Sequence, residues 1–333
     1  MRVSLPARRL LVTTLIAINT GLAGCSPSTP SEASPPLSAS GTNVPATPAA
    51  TPSATPKASP TIAPSPTAPD LTTRPFTVLV LGLDADGRAD AISVWGIDPV
   101  TRTVAIASIP RDTIEVPLPD GGTFHDKINA FYNVARGDPG RYPDGPGRAM
   151  ASLVGGMLGI RVDYVAATTF GGFTRLVDAM GGVGINLPSA IVDPHYQITQ
   201  TQIGIRFPAG EQVLSGQRAL IYVRTRYADN DFERQRRQQA FLIAAGRELA
   251  ADPSLLTALL EARRNLETDF PLDQVAPLLA SVGSLDAWTF KGAVLGPSKY
   301  ESAGSCTCGY ALVPKLDEMR KLARAFFAWA VLP

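Results

Sequence analysis

The stretch RTRYADNDFERQRRQQ, residues 224–239, carries five arginines, three of them between Arg234 and Arg237. On a helix, Asp231, Arg234 and Gln238 share one face at i, i+3 and i+7, and Arg237 stands three beyond Arg234. Arg224 and Arg226 alternate just ahead of them, so up to four guanidinium groups can converge on one spot. Their planar forks meet phosphate oxygens in pairs, and the chemistry they suit is the holding of an anion with several oxygens. A solvated helix face stitched by i, i+3 ion pairs would use the same residues and is the competing reading.

A second cluster lies in LGLDADGRADAISV. Asp84 closes one apolar run and Asp90 opens the next. Carboxylates facing each other at strand ends can share a hard cation that keeps its waters and reaches substrate phosphates. Arg88, in the turn between them, could touch the same anion. The alternative is an ordinary Asp/Gly hairpin turn with solvated acids. A third cluster, SIPRDTIEV, sets Arg111 and Asp112 after a run that is apolar up to Ile109. HDKINAFYN adds Lys127, whose alternative is a helix-surface lysine, and His125, which reads as a polar turn residue rather than a ligand or base. The chain lacks G-x-S-x-G, H-E-x-x-H and G-x-x-x-x-G-K-[ST], so those enzyme classes are without their signatures.

The elements that must position these residues form one body. FTVLVLGL, AISVWGI and TVAIASI read as buried strands, the last two joined antiparallel through the DPVT turn. HDKINAFYNVA and PGRAMASLVGGMLGI read as helices, DYVAATTF as a strand, GGFTRLVDAMGG as a helix between glycines, and GINLP as a strand. SGQRALIYVRTR, opened by Ser215, and DFERQRRQQAFLIAAGRELA are helices, the second docked through Phe241 and Leu242. Shorter helices follow over residues 253–282, then a strand in AWTFKGAVLG and a final amphipathic helix in VPKLDEMRKLARAFFAWAVL. Strands and helices alternating in this way imply a single α/β domain with helices on both faces of a sheet.

With 30 Lys and Arg against 29 Asp and Glu, bulk charge gives no reason to expect a nucleic-acid partner. The N-terminus pairs the basic MRVSLPARR with a short apolar run, an export signal too brief for a comfortable membrane-spanning helix. Its end, LAGC, resembles the bacterial lipobox, in which the cysteine corresponding to Cys25 is lipidated and becomes the new N-terminus. An uncleaved signal anchor or a chance cysteine is the alternative. Residues 26–70 hold twelve prolines among Ser, Thr and Ala, with no apolar periodicity. They read as a disordered tether reaching on the order of 140 Å when extended. Cys306 and Cys308 remain; a C-x-C ring is tight and strained, and the pair reads as a local disulfide or as free thiols. The expected boundaries are 1–25 for the signal, 26–72 for the tether and 73–333 for the domain.

Taken in order, VLVLGLDADGRADAISV, VAIASIPRDT, DKINAFYN, DYVAATTFGGFTRLVDAMGGVGINLP and LSGQRALIYVRTRYADNDFERQRRQQ resemble the LytR–CpsA–Psr family of bacterial cell-envelope proteins. The resemblance spans about residues 76–245. It implies a mixed central sheet flanked by helices and a long apolar pocket for a polyprenyl chain. It also implies a phosphotransferase that moves a glycopolymer from a polyprenyl-pyrophosphate carrier to a peptidoglycan hydroxyl, on the outer face of the membrane. On this carry-over Asp84 and Asp90 hold Mg²⁺ (or Mn²⁺) against the pyrophosphate. Arg88, Arg111, Arg224, Arg226 and Arg234 bind its oxygens, with Lys127 nearby and Gln238 hydrogen-bonding. Asp231 orients Arg226 or Arg234, or acts as base, and Arg111, Asp231 and Arg234 are the catalytic set. Two alternatives remain: a polyprenyl-pyrophosphate hydrolase and a non-catalytic polyprenyl-phosphate-binding lipoprotein. The sequence departs from the family where an arginine often follows the first aspartate by two residues; Asp86 stands there, and it could add a metal ligand. It departs again at the anchor, because many members use an N-terminal transmembrane helix.

Overall fold

The structure is a computed structural model that describes residues 70–226, 230–297, 299–307 and 309–332. The expected export signal, Cys25, the tether up to residue 69 and Cys308 lie outside the described residues, as does the side chain of Cys306.

The first three apolar runs become strands β1 (Phe76–Leu83), β2 (Ala89–Asp98) and β3 (Thr103–Ser108). They form an antiparallel meander, with Asp98 opposite Thr103 across the predicted turn. A small hairpin, β4 (Val116–Pro117) with β5 (Thr123–Phe124), precedes helices α1 (Phe131–Gly137) and α2 (Gly145–Leu158). Strand β6 (Tyr164–Thr169) then lies parallel to β1 and leads into α3 (Phe170–Ala179). Strand β7 (Val183–Leu187) was expected; β8 (Ile191–Gln197), β9 (Ile203–Phe207) and β10 (Gly210–Leu214) were not. They pair as β8 with β9 and β7 with β10, beside the main sheet.

Helices α4 (Gly216–Arg224) and α5 (Asp231–Ala251) follow, then α6 (Leu255–Glu261), a two-residue strand β11 (Glu267–Thr268), α7 (Val275–Val282) and β12 (Thr289–Val294). The last predicted helix is shorter than its amphipathic run. Val313 and Pro314 end a hairpin of β13 (Glu301–Cys306) with β14 (Gly309–Pro314), and only α8 (Leu316–Phe326) and a 3₁₀ turn remain helical. The β13–β14 pairing captures the VP dipeptide that periodicity alone gives to the helix.

The six-stranded sheet has the order β11-β6-β1-β2-β3-β12. Leu79, Leu81, Val94, Ala105 and Ala107 face α2 and α8, where Met150, Leu153, Val154, Met157 and Met319 are wholly buried. Val104, Ile106 and Trp95 face the other way, against Ile243 of α5 and Leu278 of α7. Helices therefore cover both faces, as alternating elements predict. A further apolar cluster joins Val177 of α3, Tyr222 and Val223 of α4 and Phe241 of α5 to strands β7 to β10. Gly216 opens α4 so close to α3 that a Cβ would stand 2.1 Å from the Thr174 carbonyl oxygen, and only glycine fits there.

Strand direction decides where chemistry can gather. β6 and β3 run with β1, and β12 runs with β3, so Leu83, Ser108, Thr169 and Val294 end on one rim of the sheet. β2, the reversed strand, starts on that same rim. Open α/β sheets collect their sites at the carboxyl ends of parallel strands. No helix among the described residues is long and apolar enough to cross a membrane.

Candidate active site

The rim begins at the β1–β2 hairpin. Asp84 Oδ1 accepts the backbone N–H groups of Asp86 at 2.9 Å and Arg88 at 2.8 Å, closing the turn and leaving Oδ2 outside those bonds. Gly82 pairs with Ala91 and Leu83 with Ala89, so Asp90 is the extra residue of a β-bulge. Bulges re-aim side chains beside functional sites. The Asp90 carboxylate accepts a charge-assisted hydrogen bond from Arg111, which arrives from the end of β3. Asp112 is paired with Lys127 Nζ at 2.7 Å and approaches Arg111 Nε at 3.9 Å. Lys127 precedes the first helical turn, so the helix-surface reading of it falls away. Arg88 and Asp86 stand exposed at the hairpin tip.

The arginine stretch arrives from the opposite side. Asn230 caps α5, its Oδ1 accepting from Phe232 N at 3.0 Å and Glu233 N at 3.1 Å. Asp231 then sits between two guanidinium groups, with Arg226 Nε at 3.3 Å and Arg234 Nη2 at 3.0 Å from Oδ1. Asp231 thus contacts both arginines at once. Arg224 lies 4.2 Å over the Phe170 ring, and its charge works against the rise that burial gives the Tyr196 phenol pKa. Gln238 donates to the Val223 carbonyl at 3.1 Å.

Arg237 does not converge with the others. It is buried and donates to the carbonyls of Tyr222 and Thr225, bracing the turn that carries Arg224 and Arg226. Thr225, wholly buried between those two arginines, donates its hydroxyl to the buried Asp193 carboxylate on β8. A helical wheel places Arg234 and Arg237 alike; the preceding turn claims only one of them.

Electrostatics tie the two sides together. Burial works to lower the Arg111 guanidinium pKa, but Asp90, Asp112 and Asp231 outweigh it and raise it. Arg234 is 2% exposed, and burial lowers its pKa, with Arg226 and Arg111 adding to the effect against Asp231. Arg111 and Arg234 are thus close enough to repel. Both keep a buried Nε donor with no hydrogen-bond acceptor among the described residues. Each unmade bond costs about 1–3 kcal/mol, which an anion arriving here would recover.

Beside this charge lies an apolar cavity of about 100 Å³. Val80, Phe170, Phe173, Leu220, Val223, Phe241 and Leu242 line it, and Asp90, Arg224, Arg234 and Gln238 form its polar end. The resemblance implies a long apolar pocket; the apolar cavity beside the charged residues is this recess.

Sequence reasoning missed Tyr196, Phe170 and the Asp193–Thr225 bond, all supplied by distant elements. It also missed Glu301. This carboxyl is wholly buried, receives the Thr113 hydroxyl at 2.6 Å on Oε1, and has no partner on Oε2 among the described residues. Burial pushes its pKa up to about 8.

Residues 43–294 match the model of the LytR_cpsA_psr family. The chain belongs to that family. It is 30% identical over 261 residues to a protein of Halalkalibacterium halodurans named polyisoprenyl-teichoic acid–peptidoglycan teichoic acid transferase TagU, covering 74% of this chain and 76% of that one. Its similarity to Bacillus subtilis TagV, named as the same kind of transferase, is 30% over 53% of this chain and 44% of TagV. Among solved structures, B. subtilis TagV superposes with a TM-score of 0.61 at 23% identity, over 77% of this chain and 98% of that chain. TagT bound to LIIa-WTA superposes with a TM-score of 0.59 at 25% identity, over 77% and 90%. The LytR_cpsA_psr domain thus has the mixed, helix-flanked sheet expected from the sequence.

Proposed function

We propose that this LytR_cpsA_psr protein transfers a glycopolymer from a polyprenyl-pyrophosphate carrier to a hydroxyl of peptidoglycan. The observation that carries the reading is the pair of acceptor-less, buried Nε donors of Arg111 and Arg234: Arg234 lines the apolar recess, and Arg111 is paired with Asp90 of the same lining. A greasy chain joined to a diphosphate is complementary to both parts. The acceptor oxygen attacks the phosphorus that carries the sugar, the bond to the bridging oxygen breaks, polyprenyl phosphate leaves, and the hydroxyl proton passes to a base. Such a transition state is loose and asks for positioning and charge neutralisation rather than a protein nucleophile. Arg111, Arg224 and Arg234 supply that charge. Asp231 holds Arg226 and Arg234 in place, which favours a positioning role for it over that of base.

Two carboxylates, Asp84 and Asp90, border the same rim, and each has one oxygen engaged by the protein. That donor set fits Mg²⁺ or Mn²⁺, hard ions that draw their other ligands from phosphates and water. When bound, the ion neutralises phosphate charge. Export, lipidation of Cys25 and placement on the outer face of the membrane complete the reading, because the carrier's chain is a membrane lipid.

The test is transfer of a labelled polymer from its polyprenyl-pyrophosphate to peptidoglycan by residues 70–333, with and without Mg²⁺. Label in the wall is expected, lost on chelation and in Arg234→Ala. Release of free polymer phosphate without acceptor would favour hydrolysis; metal-independent binding without turnover would favour a carrier protein.

A further inference from the structure

A second cavity opens on the same rim, past the end of β12. It measures about 280 Å³ and is lined by Asn230, Phe232 and Arg236 on one wall and Gly296, Lys299 and Tyr300 on the other. The first wall is the opening of α5, whose Asp231 and Arg234 belong to the charged site. The residues alternate sides: Arg234 and Gln238 line the apolar recess, while Phe232 and Arg236 line this cavity. The second wall follows Val294, which pairs with Ser108, three residues before Arg111. Along the rim the order is therefore apolar recess, arginine–carboxylate cluster, second cavity.

The lining of this cavity has a specific chemistry. Phe232 offers aromatic surface, and the mostly buried Tyr300 borders the cavity; the Phe232 ring packs so tightly on Gly296 that a Cβ there would lie 2.9 Å away. Asn230 spends its side-chain oxygen on the helix cap, so its carboxamide nitrogen takes no part in that cap. Lys299, 5.1 Å from the Tyr300 ring centroid, and Arg236, whose charge is shared with its ion-pair partner Glu233, are the cations of the lining. Aromatic faces with a few convergent polar groups suit a sugar ring, and two cations select one that bears an acid group.

We propose that this cavity is a subsite for an anionic saccharide, held beside the diphosphate. The proposal rests on the transfer reading above and deepens it. Two molecules share the chemistry: a peptidoglycan disaccharide with its lactyl and peptide carboxylates, and the phosphate-bearing polymer on the donor.

The experiment uses residues 70–333 and three variants: Arg236→Gln with Lys299→Gln, Phe232→Leu, and the charge-restoring Arg236→Lys with Lys299→Arg. Binding of a soluble disaccharide muropeptide, and separately of a lipid-free teichoic acid fragment, is followed by ligand-observed NMR. The double Gln variant should lose at least tenfold in affinity for one of these probes. It should raise KM for the matching substrate with kcat little changed, and the charge-restoring pair should recover most of the loss. Loss confined to the muropeptide assigns the cavity to the acceptor; loss confined to the teichoic acid fragment assigns it to the donor polymer. Unchanged binding and KM in folded variants would overturn the subsite. Muropeptide binding that depends on Arg236 and Lys299, in a protein that transfers nothing, would instead discard the transfer reading and keep the subsite.

Discussion

The face of the sheet under α2 and α8 and the region between α3, α4 and α5 are built from the same apolar residue types, yet they differ in kind. Under α2, Met150, Leu153, Val154 and Met157 have no solvent exposure, and Gly155 sits so near the chain that a Cβ would stand 2.7 Å from the Ile160 carbonyl oxygen. Between α3 and α5, Phe173, Leu220 and Leu242 stay only partly buried around a recess whose polar end carries Arg224 and Arg234. One region is packed to the density of a protein interior. The other leaves contacts unmade and guanidinium donors unpaired, which costs stability and leaves room for a ligand.

Arg234→Ala offers the hardest test of that contrast. Transfer should fall by about 10²–10³, as when one preorganised donor is removed from a site of developing charge, while circular dichroism and Tm stay close to the parent; a matching loss of fold would make Arg234 a structural residue. Leu153→Ala should do the reverse, destabilising by about 2–5 kcal/mol in urea with activity per folded molecule retained.

Glu301, buried beside Thr113, adds a test that depends on pH. Its folded pKa of about 8 lies above the 4.5 of an unburied glutamate. Folded protein therefore holds a proton that unfolded chain gives up as pH rises from 4.5 to 8. Stability contributed at or below pH 4.5 is lost across that window and stays lost above it. Glu301→Gln removes the loss, so the variant should gain on the parent by on the order of 3 kcal/mol between pH 5 and 8.5; parallel curves would refute the burial argument. The smallest effect is expected for Leu220→Phe. Filling the recess should weaken polyprenyl phosphate binding about tenfold, roughly 1.4 kcal/mol, with Tm little moved.

Legibility followed sequence distance. Asp84, Arg88 and Asp90 share one hairpin, and Asp231, Arg234 and Gln238 one helix, so local periodicity reads them directly. Arg237 reads like Arg234 until the preceding turn claims it. Asp193 meets Thr225 across 32 residues and Glu301 meets Thr113 across 188, and no local pattern encodes either. The recess was illegible because Phe173 and Leu242 have the periodicity of core residues whether or not the space beside them is filled. Strands β8 to β10 were missed because their alternation is broken by Pro194, His195 and polar turns.

The bulge at Asp90 gives the β1–β2 hairpin slack. One residue there belongs to neither ladder position, so the tip, tied to α1 by Asn133 donating to the Asp86 carbonyl at 2.6 Å, is offset from the inward register of Ile92 and Val94 that anchors the sheet. Loop remodelling at the mouth is thereby insulated from folding.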